Sequence, residues 1–184
     1  MALWIILAIV VVVGGLLVVI FNRIVSLENL AKNAWAQIDV QLQRRNDLVP
    51  NLVDTVKGYA AHETELFEEI ARSRAAMMNA QGAEQGVEAA NQMTSALGRL
   101  FAVAEAYPEL KASDNFAQLQ RDLGDIEGKI AYARQFFNDA VLQFNTYIQT
   151  VPGIFLAGPM GKGALNFLEA EEAARTVPQT GFTS

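Results

Sequence analysis

FAQLQRDLGDIEGKIAYARQFFNDAVLQFNTYIQTV, residues 116–151, decides the fold. Phe116, Leu119, Leu123, Ile126, Ile130, Ala133, Phe137, Ala140, Phe144, Tyr147 and Val151 recur at spacings of three and four without a break. A strand would alternate by two. A seam of this period and length predicts one long helix packed at a shallow angle against others. Ser113 or Asp114 is its expected N-cap, and Pro152 with Gly153 its stop.

Outward from that stretch the spacing returns. Val87, Ala90, Thr94, Leu97, Phe101 and Ala104 form a second seam, with Gly82 and Gly86 bracketing the expected turn before it. Val49, Leu52, Val56, Tyr59, Glu63, Leu66, Ile70, Ser73 and Met77 form a third. Leu27, Ala31, Ala34 with Trp35, Ile38 and Leu42 form a fourth. Four helical stretches with short connections predict an all-α protein, an antiparallel up-down four-helix bundle with long heptad-patterned helices.

Before the bundle stands ALWIILAIVVVVGGLLVVIF, residues 2–21, with no charged residue. At about 1.5 Å per residue this stretch matches a bilayer core of about 30 Å. Valine suits strands in water, but a lone strand in lipid leaves its backbone unpaired, so a transmembrane helix is expected. A cleaved signal peptide would need a basic start and a small-residue cleavage site. The expected organisation is an anchor at 1–23, a bundle at 24–152, and a tail at 153–184. The tail holds the Gly-rich apolar IFLAGPMGKG, a short helix in ALNFLEAEEAAR and a loose end. Arg23 and Lys32 follow the span, which favours a cytoplasmic domain.

In QIDVQLQRRNDLVPNLV, residues 37–53, charge crowds into the pattern at Arg44, Arg45 and Asp47. Asp47 followed by Pro50 reads as a helix start: the carboxylate accepts orphan N–H groups, and proline lacks one. The stretch is therefore expected to be a corner between two helices, with Arg45 pairing a carboxylate or helix-end carbonyls. The functional alternative is Arg44 and Arg45 gripping an anionic ligand. A hairpin turning near Asn46 would set Glu63, a carboxylate within a seam, opposite Lys32, so a Glu63–Lys32 pair is expected. Gly124 and Gly128 have the spacing of close helix approach, but on a polar helix that spacing marks a plain surface about as well.

The single His, His62, sits in HETE, which is not H-E-x-x-H. Di-metal bundle sites need two Glu-x-x-His motifs. The chain has no Cys, which excludes disulfides and thiolate chemistry. A net charge of −6 argues against nucleic-acid binding. No catalytic, cofactor or metal constellation is expected. The expected partners are the lipid bilayer and a second copy or other membrane proteins.

AWAQIDVQLQRRNDLVPNLVDTVKGYAAHE, residues 34–63, and YPELKAS with the stretch from Phe116 to Gly153 resemble the LemA family. The resemblance runs from the anchor to about Gly153 and is loose beyond Pro152. It implies a bacterial membrane-anchored protein with a helical-bundle domain and no established enzymatic activity or cofactor. Through a magnetosome relative it also implies a link to membrane shaping. Exported lipoprotein relatives would put the domain outside the cell, against the charge pattern, and orientation stays open between the two. Such relatives carry a lipobox cysteine, which this chain lacks. Three functions follow: a non-enzymatic membrane scaffold that self-assembles, a sensor of an anionic ligand, or a membrane-remodelling protein acting through residues 154–160.

Overall fold

The computed structural model describes residues 1–168. They form helices α1 (Ala2–Lys57), α2 (Thr64–Asn79), α3 (Gly82–Ala104), α4 (Pro108–Lys111), α5 (Asp114–Gln149) and α6 (Ile154–Ala157), with no strand among them. The chain divides into two units. One comprises Met1–Ile38 and Ile130–Phe167, and the other comprises Asp39–Lys129 with, among the described residues, Leu168.

In the first unit α1 is exposed on every side through its apolar start. Side chains from Leu3 to Val19 face outward, and the first buried residue is Ile20. The helix is thus long and apolar enough to cross a membrane, and its apolar stretch is not packed inside protein. From Ile20 onward one face turns inward. Ile20, Ile24 and Leu27 pack with Phe144 and Ile148 of α5 and with Ala157 of α6. Further along, the Trp35 and Phe137 rings meet edge to face at 6.2 Å.

The segment after α5 closes onto the same core. Tyr147, Leu156, Met160 and Leu165 pack around it. Asn145 donates to the Leu165 carbonyl at 2.9 Å and accepts the Leu165 N–H at 2.8 Å. Gly153 is required here: a Cβ at that position would lie 2.0 Å from the Tyr147 carbonyl oxygen. The expected short helix in ALNFLEAEEAAR is absent over residues 164–168. Its remainder, and the loose end, fall outside the described residues.

Glu28 fastens this segment from the side of α1. It accepts Lys162 Nζ at 2.6 Å and Lys32 Nζ at 2.9 Å. Lys162 first and Lys32 second hold its carboxyl below the ordinary carboxylate value of 4.5. A lowered pKa means that the contribution is complete above the ordinary range and is lost as pH falls through the lowered value. Glu28→Gln is therefore expected to unfold more easily than the parent at neutral pH. The gap should close in acid, as followed by thermal melting across pH; a gap that widens in acid would contradict the linkage.

In the second unit one core takes Val49, Leu52 and Val56 from α1, Leu66, Phe67 and Ile70 from α2, Met93, Leu97 and Leu100 from α3, Leu110 from α4, and Phe116, Leu119 and Leu123 from α5. Chain breaks differ from the expected ones. The third seam is not one helix but is cut at residues 58–63. Lys57 in the last turn and Gly58 after it are a C-terminal signal, and Lys57 Nζ lies 5.2 Å from the Phe67 ring centroid across the turn. The turn between α2 and α3 lies at Ala80 and Gln81. Gly82 takes the positive φ of 79° that L-residues resist. Gly86, expected in that turn, is instead buried within α3.

One reading of α5 is corrected, and one choice left open is decided. Tyr147 and Val151 were expected on its seam; Tyr147 packs against the core but is only partly buried, Ile148 beside it is buried, and Val151 is exposed. A straight helix drifts by about 20° per heptad. Four heptads after Phe116 the drift approaches one residue step, and full burial moves from 147 to 148. Gly124 and Gly128 are exposed, with nothing within 4 Å of a Cβ added at either, so they are surface positions and not close approaches. Gly124→Ala and Gly128→Ala are each expected to stabilise by about 1 kcal/mol, measured by urea unfolding in detergent. A loss at either would mean the position is covered by something else.

Candidate functional site

The buried charge of the second unit is Arg45, 1% exposed. Its place follows from the period of α1: Ile20, Ile24, Leu27, Ala31, Ala34, Ile38, Leu42, Arg45, Val49, Leu52 and Val56 keep the three-and-four spacing, and all are buried. The guanidinium is accordingly turned inward. Its Nη1 donates to Glu127 Oε1 at 2.7 Å and to Thr94 Oγ1 at 2.9 Å, and Nη2 donates to the Ala90 carbonyl at 3.0 Å. The Thr94 hydroxyl in turn donates to the Ala90 carbonyl. Glu127 is 38% exposed on its side chain, so the pair is dry at the arginine and wet at the carboxylate. Arg45 Nε has no protein partner.

The pairing of Arg45 with a carboxylate was expected, but the corner around it is not there. Helix α1 runs through Asp47 and Pro50 to Lys57. Asp47 does not begin a helix; it accepts the Gln43 side chain at 2.9 Å from one turn earlier. Pro50 stands inside the helix, where it withholds the N–H that the Asn46 carbonyl would receive. Asn46 is itself buried, and its Oδ1 has no protein partner. An interior proline costs about 3 kcal/mol. Burying Val49, Leu52 and Val56 is worth about 1.5–3 kcal/mol each, which exceeds that cost and holds the helix to one seam.

The corner that was to set Glu63 opposite Lys32 is not formed, since α1 runs on to Lys57. Lys32 takes Glu28 one turn away, and Glu63 stands at the N-cap of α2 with no side-chain capping bond. His62 lies exposed in the preceding turn.

Arg44 points away from Arg45. It lines a cleft of about 360 Å³ with Asp47, Leu48, Asp122, Asp125, Ile126 and Lys129. Three carboxylates against two cations leave this cleft with an acidic surplus, which disfavours an anion. Gln118 donates to Asp122 at 2.9 Å. Among the described residues no three His, Asp or Glu side chains come together as a metal site requires. The two arginines therefore do not form one grip.

Glu127 and Thr94 escaped the sequence reading as partners of Arg45. A signal was present for Thr94, a polar residue on the α3 seam, as Arg45 is on that of α1. Glu127 lay one position off the α5 seam, where helical periodicity alone does not choose it.

Comparison with known proteins adds the following. The family model for the LemA family matches residues 34–182, which carries the match beyond Gly153 and through the tail. The chain is 26% identical to "Magnetosome protein MamQ" of Magnetospirillum gryphiswaldense, over 85% of this chain and 67% of that protein. It is 25% identical to "Magnetosome protein MamQ 2" of Paramagnetospirillum magneticum, with the same coverage. Against "Protein LemA" of Metamycoplasma hominis the identity is 28%, over 70% of this chain and 59% of that protein.

Proposed function

The chain belongs to the LemA family, and from that premise we propose a membrane-anchored scaffold or interaction module without enzymatic activity. Residues 2–21 cross the bilayer as the start of α1. The end of α1, α2, α3 and the start of α5 form an antiparallel four-helix bundle that presents surface to partners. The observation that carries the reading is the apolar start of α1, exposed on all sides and continuous with the helix that enters the cores. Such a surface is far larger than soluble proteins leave uncovered, and lipid is the solvent that suits it.

Arg45 serves in this reading as a register device. A buried charge with one carboxylate partner contributes little net stability but penalises wrong pairings of helices. Self-assembly is part of the proposal. Tyr132 and Phe136, one turn apart on α5, leave apolar surface available to a second copy. The anion-sensor reading loses ground, because Arg45 is already engaged and Arg44 faces acidic company.

The test has two readouts on the full chain. Membranes washed with alkaline carbonate should retain it, and release into the wash would end the anchor reading. Light scattering of the detergent-extracted protein should give a mass above one chain. A clean monomer would remove self-assembly and leave the anchor standing.

A further inference from the structure

We propose that the turn after α5 is a second membrane contact: Val151, Ile154 and Phe155 sit in the interfacial layer of the bilayer that α1 crosses. The inference rests on the reading of α1 as a span. Three observations lead to it.

The first is exposure. Val151 is 73% exposed, Ile154 49% and Phe155 70%. These apolar side chains lie within five residues of one another, on a segment whose other side is buried through Gly153 and Ala157.

The second is level. Phe137 meets Trp35, while Phe144 and Ile148 pack with Leu27, Ile24 and Ile20. Each step toward the end of α5 thus lies nearer the apolar end of α1. Ile20 is the first buried residue after the exposed apolar stretch, and Ala157 of α6 belongs to the same cluster. The exposed residues of the turn therefore lie at the level where the exposed apolar stretch of α1 ends.

The third is fixation. A loose apolar loop would fold its side chains away from water. This one is held open by the Gly153 approach to Tyr147, by both bonds between Asn145 and Leu165, and by Lys162 on Glu28. An apolar patch held rigidly in the open, at the edge of a span, suits the boundary where aromatic and aliphatic side chains anchor proteins at the headgroup level. Lipid is the occupant favoured over protein because the patch stands at the level where α1 leaves the bilayer.

The chain has no cysteine, so single thiols report single positions. Val10→Cys, Gln92→Cys and Phe155→Cys, all exposed, would carry an environment-sensitive fluorophore on the full chain in phosphatidylcholine vesicles. Phosphatidylcholine brominated on its acyl chains serves as quencher from the lipid side, and iodide from the water side. At 155 the expected result is blue-shifted emission quenched by bromolipid and shielded from iodide, as at 10, while 92 shows the reverse. Iodide quenching at 155 with lipid quenching at 10 would overturn the second contact and leave the span intact. Shielding at 155 from both quenchers would mean a protein covers the patch, and would also overturn it. Iodide quenching at 10 would overturn the span, and this inference with it.

Discussion

Replacing Glu127 by alanine is expected to destabilise the protein by about 3 kcal/mol. Removing one partner of a buried pair costs about 3–5 kcal/mol, because the other charge is left dry and uncompensated. The low end applies here, since the pocket mouth at Glu127 is partly wet. Arg45 would keep only Thr94 and the Ala90 carbonyl, neither of which carries a charge. The opposite substitution has a smaller effect. Arg45→Met retains most of the volume and frees Glu127 to water, and such replacements are often near neutral. Urea unfolding of both variants in detergent, followed by circular dichroism, reads the asymmetry. Equal losses would show that packing, not a stranded charge, sets the cost. The double variant should recover most of what Glu127→Ala loses, because the charge that was stranded is then gone.

Pro50→Ala is expected to stabilise by about 3 kcal/mol, an unusual direction for changing a residue in the middle of a helix. Proline in a helix interior costs about that much, from the missing N–H and the clash with the carbonyl four residues back. Alanine restores a donor to the Asn46 carbonyl and retains the turn that carries Val49 and Leu52. If residues 46–50 formed a corner, the same substitution would be neutral or harmful, since proline suits a first turn. The sign of one melting shift therefore separates a continuous α1 from a corner. A fall in stability would reinstate the corner.

That stretch also shows how far the sequence could be read. The seams named the long helical regions and many of their buried positions, because burial on one face imposes the period directly; the single-turn helices α4 and α6 are too short to show a period. In residues 37–53 two local rules gave opposite answers. The spacing carried on from Leu42 through Arg45 to Val49, which means one helix. Asp47 and Pro50 spelled a start, which means two. The spacing prevailed because it is summed over ten buried positions, whereas a cap and a proline act on one turn. The true end, at Lys57 and Gly58, carried a weaker signal than the false one. The partner of Arg45 was beyond reach for another reason: Glu127 lies 82 residues away, and nothing in a helical repeat fixes how two distant helices are rotated against each other. The surroundings of Arg44 were likewise beyond reach, because the cleft it lines with Asp122 and Asp125 brings together residues distant in the chain.

The two units differ in how they are written along the chain. The bulk of the second unit, Asp39–Lys129, is one contiguous stretch, whereas Met1–Ile38 must wait for Ile130–Phe167. At synthesis rates of about 5–20 residues per second, the intervening stretch takes roughly 5–20 s to emerge. Through that interval Ile20, Ile24 and Leu27 have been made, but Phe144, Ile148 and Ala157 have not. The face of α1 next to the membrane is therefore uncovered during translation, open to lipid, to chaperones or to the same face of another nascent chain. Where ribosomes crowd on one message, the order of synthesis itself offers the first occasion for two copies to meet.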